Sequence, residues 1–397
     1  MATIFERAKP EDFDELVDLG NYVFSHSGGR VDFPSLLPKL YTKKYGTAGH
    51  HCIAREDGHI RAIVGAFPIP LEVAGEKLLV WGIGTVSVHP YHRSAGHMKA
   101  LMQMAHEGAE AAGADFGCLG GQRQRYQYFG YDRCGQIFHF HLNKTNVRHR
   151  FGRDYAPTLT FRRMEAEDPA MADCMGWFNR RPAHAVREPE CFHDTVRSWD
   201  FTMWGMERDG KLIGYLSASK NAGEVHELVT DEPFDTASIL ADWLITRGIE
   251  EVSFDVPPHD QKAIASLSAL CESMSLSTAH NMAVFNFPNT VRAFAKLKAG
   301  YEKLPDGTLV LAVEGKKPFS ITLNDGKVTV AETDEPAHLE LPYMGALAFL
   351  FGPFGGIASV ALESVCKAGP AGWTEAERAL AKAWFPLPLS FEESDNV

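Results

Sequence analysis

Val80–Met104 reads VWGIGTVSVHPYHRSAGHMKALMQM, and the interpretation of the whole chain starts there. Val80, Ile83, Val86 and Val88 sit among small residues, and no charged residue occurs from Leu78 to Tyr91. β-Branched residues in such a run favour a strand. Pro90 has no amide to donate to a ladder and ends it. Arg93-Ser94-Ala95-Gly96-His97-Met98 then opens a helix. In it Met98, Leu101, Met102, Ala105 and Ala109 recur at helical spacing, and Gly113 stands where a C-terminal cap belongs. The stretch is a strand, a tight basic turn and a helix N-terminus.

Such a turn suits an anion. The first amides of a helix have no partner within it, and the helix dipole adds partial positive charge. Gly96 permits close backbone approach, and Arg93, with His92, adds charge-assisted hydrogen bonds. A phosphate or pyrophosphate is the natural occupant. An ordinary strand-to-helix corner with a solvated arginine carries the same short R-x-x-G pattern, so spacing alone leaves both open.

Val86-Ser87-Val88-His89-Pro90, followed by His92 to Met98, resembles the acetyl-CoA-binding motif of the GNAT acetyltransferases. Arg93 and Gly96 match R-x-x-G-x-G/A; Met98 replaces the last small residue, as the Eis-like (enhanced intracellular survival) branch tolerates. Tyr126-Gln127-Tyr128-Phe129-Gly130-Tyr131 is similar to that branch's Tyr-x-x-Phe-Gly-Tyr. The two motifs come in the family's order and spacing. The resemblance implies an α+β chain of tandem GNAT-fold domains, with mixed, mostly antiparallel sheets flanked by helices, and a C-terminal sterol-carrier-protein-like α+β domain. The expected division is a catalytic domain over 1–150, a degenerate GNAT-like copy over 151–287 and the sterol-carrier-like domain over 288–397. The likeness is strong from Val80 to Tyr131 and elsewhere rests on element order and length.

The same resemblance implies an acetyl-CoA-dependent N-acetyltransferase acting directly on a primary amine, of a cationic small molecule or a lysine side chain. That transfer needs a deprotonated amine, a polarised thioester carbonyl and an acid for the leaving thiolate. Pantetheine is expected along the backbone of Val86 and Val88, and pyrophosphate at Arg93, Ser94, Gly96, His97 and Met98. Tyr126 is the expected general acid. Phe24, Trp81 and Tyr128 are candidate substrate contacts, able to hold a cationic amine by cation–π attraction. No acidic residue lies between Leu78 and His92 to serve as base. Eis-like enzymes use their own terminal carboxylate, but the family's terminus resembles Phe391, so the tail through Glu392-Glu393-Ser394-Asp395-Asn396-Val397 overruns it. Glu392, Glu393, His89 and His26 are then the remaining candidate bases. The competing reading is a non-enzymatic protein holding an apolar ligand in the third domain; the intact Arg93/Gly96 loop and Tyr126 favour the enzyme.

Composition narrows the classes. Over 397 residues, 45% are apolar and 23% charged, which is ordinary for a soluble protein. A net charge of −12 argues against a nucleic-acid partner. Seven scattered cysteines without C-x-x-C suggest reduced thiols in a cytoplasm. The charged N-terminus offers no apolar signal core. Ala346–Leu362, the most apolar stretch, is broken at Gly352-Pro353-Phe354-Gly355-Gly356, so no membrane association is expected. Family resemblance adds a homo-oligomer. No metal is expected: His139 and His141 form an H-x-H without a third ligand nearby.

The rest of the chain agrees with the proposed order. A strand at Thr3–Arg7, a helix from Pro10 and a short helix near Ser35–Tyr41 precede three strands joined at Asp57-Gly58 and Ala74-Gly75. Residues 151–286 repeat this plan, but Asp231-Glu232-Pro233-Phe234-Asp235 stands where Arg93 would. Carboxylates there repel a pyrophosphate.

Overall fold

The computed structural model describes residues 3–352 and 366–397. The chain opens with β1 (Ile4–Arg7) and, after a single turn of 3-10 helix, α1 (Phe13–Ser27). α1 buries Phe13, Leu16, Val17 and Val23. Two short helices follow, α2 (Phe33–Leu36) and α3 (Pro38–Tyr41), where the sequence suggests one. The break is at Leu37, which precedes Pro38 and has φ −129° and ψ 64°; a residue before proline is pushed out of the helical region. β2 (His51–Glu56), β3 (His59–Val73) and β4 (Glu76–Val88) form a meander. Its turns carry the left-handed backbone expected of them, with φ of 53° and 82° at Asp57 and Gly58 and of 49° and 78° at Ala74 and Gly75.

α4 (His97–Ala111) then returns the chain so that β5 (Phe116–Leu119) pairs parallel with β4. Leu101, Met102, Ala105 and Ala109 are buried, as their spacing predicts. The β4–β5 register runs from Val80↔Phe116 to Ile83↔Leu119 and stops, while β4 continues to Val88. The two strands therefore part beyond Ile83, leaving one edge of β4 unpaired. At the same place the β3–β4 register shifts, and Thr85 takes a φ of 49°. This bulge bends β4 where it becomes free.

After α5 (Arg123–Tyr126) and β6 (Asp132–Cys134), β7 (Ile137–Asn143) leaves the first sheet and joins a second one. α6 (Lys144–Phe151), β8 (Thr160–Arg163), α7 (Met171–Phe178), β9 (Ala183–Ala185) and α8 (Phe192–Val196) come next. They are followed by β10 (Phe201–Arg208), β11 (Lys211–Ser219), β12 (Glu224–Thr230), α9 (Thr236–Arg247), β13 (Glu251–Val256), α10 (Gln261–Ser268), β14 (Met274–Ser277) and β15 (His280–Val284). The second sheet has the order β14-β7-β13-β12-β11-β10-β8; the first is β1-β2-β3-β4-β5-β15-β6, with β9 added to the far end of β3. Strands thus cross the expected cuts near residues 150 and 287. β7 pairs along six residues with β13, and β15 buries Met282, Ala283 and Val284 between β5 and β6. Sheet membership follows pairing and burial, which element order does not encode.

The last unit begins with α11 (Phe287–Ala299). A five-stranded sheet follows, of β16 (Gly307–Val313), β17 (Phe319–Asn324), β18 (Lys327–Glu332), β19 (Leu339–Leu341) and β20 (Lys367–Ala368), with α12 (Tyr343–Phe351) and a helix at Glu375–Trp384. One core cluster joins this unit to the first sheet: Val80, Phe116, Met282 and Phe294 are continuous with Leu309, Leu311, Leu350 and Trp384. The part of the apolar stretch Ala346–Leu362 beyond Gly352 lies outside the described residues. Among those described, no helix is long and apolar enough to cross a membrane.

Candidate active site

The basic turn after β4 is built as the sequence implies. Ser94 and Gly96 both take left-handed backbone, with φ of 65° and 84°. Nothing lies within 4 Å of where a Gly96 Cβ would stand, so its backbone, not crowding, calls for glycine. α4 starts at His97 with no side chain capping its first amides. By contrast, α9, in the corresponding place of the second unit, is capped by Asp235, whose carboxylate accepts from Ser238 N–H at 3.1 Å. The expected repulsion of an anion there is therefore joined by direct occupation: Asp235 already takes the amide a phosphate would use.

A cavity of about 680 Å³ lies against the turn and the free end of β4. Val86, Val88, Arg93, Ser94, Gly96, His97 and Met98 all line it, together with Tyr126, Phe129 and Phe24. Lys99 and Arg125 line it too. These two cations escaped the sequence reading, though each sits one residue from a position it identified, Met98 and Tyr126. Among the described residues, Arg93, Lys99 and Arg125 form no ion pair. Tyr126 is 9% exposed, and burial raises its phenol pKa against the opposing influence of Arg125. A phenol so placed keeps its proton at neutral pH.

The three expected substrate contacts separate. Phe24 is exposed and lines the cavity. Trp81 does not: it is buried in the core that packs α4 on the sheet, next to Gly108 of that helix. An inward position on a central strand is a packing site, and the residue's cation–π potential is spent there. Tyr128 is 90% exposed and stands outside the lining, while its neighbours Tyr126 and Phe129 face in.

The tail departs most from expectation. It continues past Phe391 as an ordered, buried segment. His280 lies 3.3 Å from the Phe391 carbonyl, and the chain runs on until Val397 packs on β4. A Cβ added at Gly84 would stand 2.7 Å from the main-chain carbonyl carbon of Val397 and 2.8 Å from its oxygen. A Cβ at Gly82 would meet the Val397 side chain at 2.7 Å. The glycines of Gly82-Ile83-Gly84 are thus the seat of the tail. Its path is held by a buried ion cluster. Arg187 donates to Asp395 at 2.8 and 2.9 Å and to Glu227 at 3.0 and 2.7 Å, and Tyr215 donates to Glu227 at 2.5 Å. Burial alone would raise the Glu227 pKa, but Arg187 and its hydrogen bonds bring it down to about 2. Of the other candidate bases, Glu392 is paired with Arg181 and Glu393 faces His280 at 3.7 Å. His89 accepts from Tyr91 N–H at 3.4 Å, and His26 lies in the last turn of α1.

His139 of the H-x-H is held by Asp255 and Ser277, each at 2.6 Å, and belongs to no group of three ligands among the described residues. One such group does exist, Glu56 with His92 and His97, beside the basic turn. Glu56 had no signal in the sequence, since it is simply the last residue of an edge-side strand.

A parallel strand pair that splays at a bulge, a glycine turn on an uncapped helix and a basic cavity together make a place where an anion could be held. Residues 5–134 match the family described as the acetyltransferase (GNAT) domain. The first unit is thus a GNAT acetyltransferase domain, and the protein is an acyltransferase. Over its whole length the fold is similar to three solved structures. A GCN5-related N-acetyltransferase from Kribbella flavida is 15% identical with a TM-score of 0.68, covering 100% of this chain and 98% of that one. One from Anabaena variabilis is 15% identical at 0.67, covering 98% of each. Eis1 from Mycobacterium abscessus is 13% identical at 0.65, covering 100% of both. At such identities the likeness is one of fold, and that fold is the expected one. No curated protein matches the sequence significantly.

Proposed function

We propose that the chain transfers an acetyl group from acetyl-CoA directly to a primary amine, on a cationic small molecule or a lysine side chain. The observation that carries this reading is the single cavity lined jointly by the Arg93–Met98 turn, the free edge of β4 and Tyr126. Pyrophosphate binds the amides of Ser94 to Met98 and the Arg93 guanidinium, with Lys99 and Arg125 adding positive charge. Pantetheine pairs with the unpaired backbone at Val86 and Val88, as an added strand would. The thioester then lies where β4 and β5 part.

The amine attacks the carbonyl carbon with its lone pair, and the tetrahedral intermediate collapses with loss of the C–S bond. Sulfur leaves with that pair and takes the Tyr126 hydroxyl proton. The proton lost by the amine passes to bulk water, from which Tyr126 is reprotonated, while Val397 packs at Gly84 on the same strand. The third unit is read as sterol-carrier-like, and a self-associating, cytoplasmic enzyme fits the same family reading. The decisive experiment is calorimetric titration of acetyl-CoA into the full chain, followed by thiol release with a panel of amines. Binding that Arg93→Ala weakens, with amine-dependent thiol release, supports the reading; a wild type that binds no acetyl-CoA overturns it.

A further inference from the structure

The Arg93–Gly96 turn is bounded by two histidines, and both face one carboxylate. His92 closes the 3-10 turn before it, and His97 is the first residue of α4 after it. Glu56, at the end of β2, has one oxygen 2.7 Å from His92 Nδ1 and the other 3.2 Å from His97 Nε2. One ligand atom from each of the three residues falls within 4.8 Å of the others. The His97 side chain is 2% exposed, yet neither of its ring nitrogens makes a hydrogen bond. Its approach to Glu56 is short but off the axis that a hydrogen bond requires. A buried imidazole without a partner is costly, and a cation shared with the carboxylate would satisfy both.

We propose that Glu56, His92 and His97 form a site for a divalent cation of the Zn²⁺ class, which ties the two ends of the phosphate-binding turn together. Two imidazoles and one carboxylate suit Zn²⁺ or Co²⁺, whereas Mg²⁺ and Ca²⁺ prefer all-oxygen sets. Glu56 and His92 are 21% and 28% exposed, so water reaches a fourth position. Thr3 Oγ1 donates to Glu56 Oε1 at 2.7 Å, an outer contact that orients the carboxylate. The bound cation fixes the turn that carries Arg93 and places further positive charge beside it. Acetyl-CoA affinity should therefore rise with the metal; this last step rests on the acetyl-CoA reading above.

The test titrates Zn²⁺ calorimetrically into the full chain, freed of metal by EDTA and then of chelator, for wild type, Glu56→Gln and His92→Ala. The wild type should bind one equivalent more than either variant. This difference removes any Zn²⁺ taken by cysteines or other histidines. Co²⁺ should likewise give four-coordinate visible absorption in the wild type alone. Equal Zn²⁺ uptake and equal Co²⁺ spectra in all three proteins overturn the site. In a second arm, Zn²⁺ should tighten acetyl-CoA binding by about fivefold or more in the wild type and leave Glu56→Gln unchanged. Zn²⁺ binding without that effect overturns the coupling and leaves the site standing. A wild type that binds Zn²⁺ but no acetyl-CoA overturns the acetyltransferase reading instead.

Discussion

Arg93 and Tyr126 line the same cavity, and the tasks proposed for them are separable. Arg93→Ala removes a charge-assisted contact worth about 1.5–3 kcal/mol, so acetyl-CoA affinity should fall about ten- to a hundredfold in a calorimetric titration, with the melting temperature unchanged. Tyr126→Phe keeps the ring and removes the proton. It should lower kcat by about 10²–10⁴-fold in a thiol-release assay and leave acetyl-CoA affinity as it was. An unchanged kcat would take the acid role from Tyr126. Both residues were legible because their neighbours identify them: Arg93 by Gly96 and a following helix, Tyr126 by Phe129-Gly130-Tyr131. Trp81 is buried, away from the cavity its chemistry suggested. Its chemistry is suggestive, but which face of β4 it occupies depends on α4, and α4 covers it.

At the scale of elements, β4 does two things at once. Its first half pairs with β5, and its second half, freed by the bulge at Thr85, offers a bare edge beside the turn. Gly82 and Gly84 sit at the junction and admit Val397. Gly84→Ala puts a methyl 2.7 Å from the Val397 main-chain carbonyl carbon, closer than real contacts allow, so the tail must shift. The expected result is a loss of about 10²-fold in kcat, as for a distorted edge of β4 that misplaces the thioester, with acetyl-CoA still bound. Unaltered turnover would deny the seat of the tail any part in placing the thioester. The second unit offers the control. Asp235→Ala uncaps α9 and should cost about 1 kcal/mol in a denaturant titration while acetyl-CoA affinity stays the same.

At the scale of the molecule, the second unit caps α9 with Asp235 and supplies Arg187, which holds the tail of the chain through Asp395. Asp395→Asn leaves Arg187 paired with Glu227 and loosens the tail alone. Limited proteolysis should then cut within residues 387–397 faster than in the wild type; equal cleavage would deny Arg187 that role. Acid should act on the whole fold in two stages. His51 is buried and its pKa falls to about 4, so below pH 6.5 the unfolded chain takes up a proton that the folded one refuses. Stability should drop by about 1.4 kcal/mol per pH unit through that window and stop dropping, for this group, near pH 4. Glu227, ordinarily near 4.5 and held at about 2, adds its own loss as pH falls from 4.5 toward 2. Thermal melts from pH 8 to 3 check both stages, and His51→Gln should make the first shallower, leaving the share of His259, whose burial brings its pKa down to about 3.

The sequence by itself determined what local chemistry can specify: the strand, the glycine turn, the helix behind it, the hairpins and the acidic counterpart that disables the second turn. Each is written within a few residues, where backbone preference and periodicity act directly. Only the tertiary structure decided the long-range matters. Glu56 meets His92 across 36 positions, and Arg187 meets Asp395 across 208. β15 enters the first sheet and β7 the second. Val397, not Phe391, reaches β4. Burial and strand pairing set these contacts by competition among all the surfaces of the chain, and no short stretch carries the outcome of that competition.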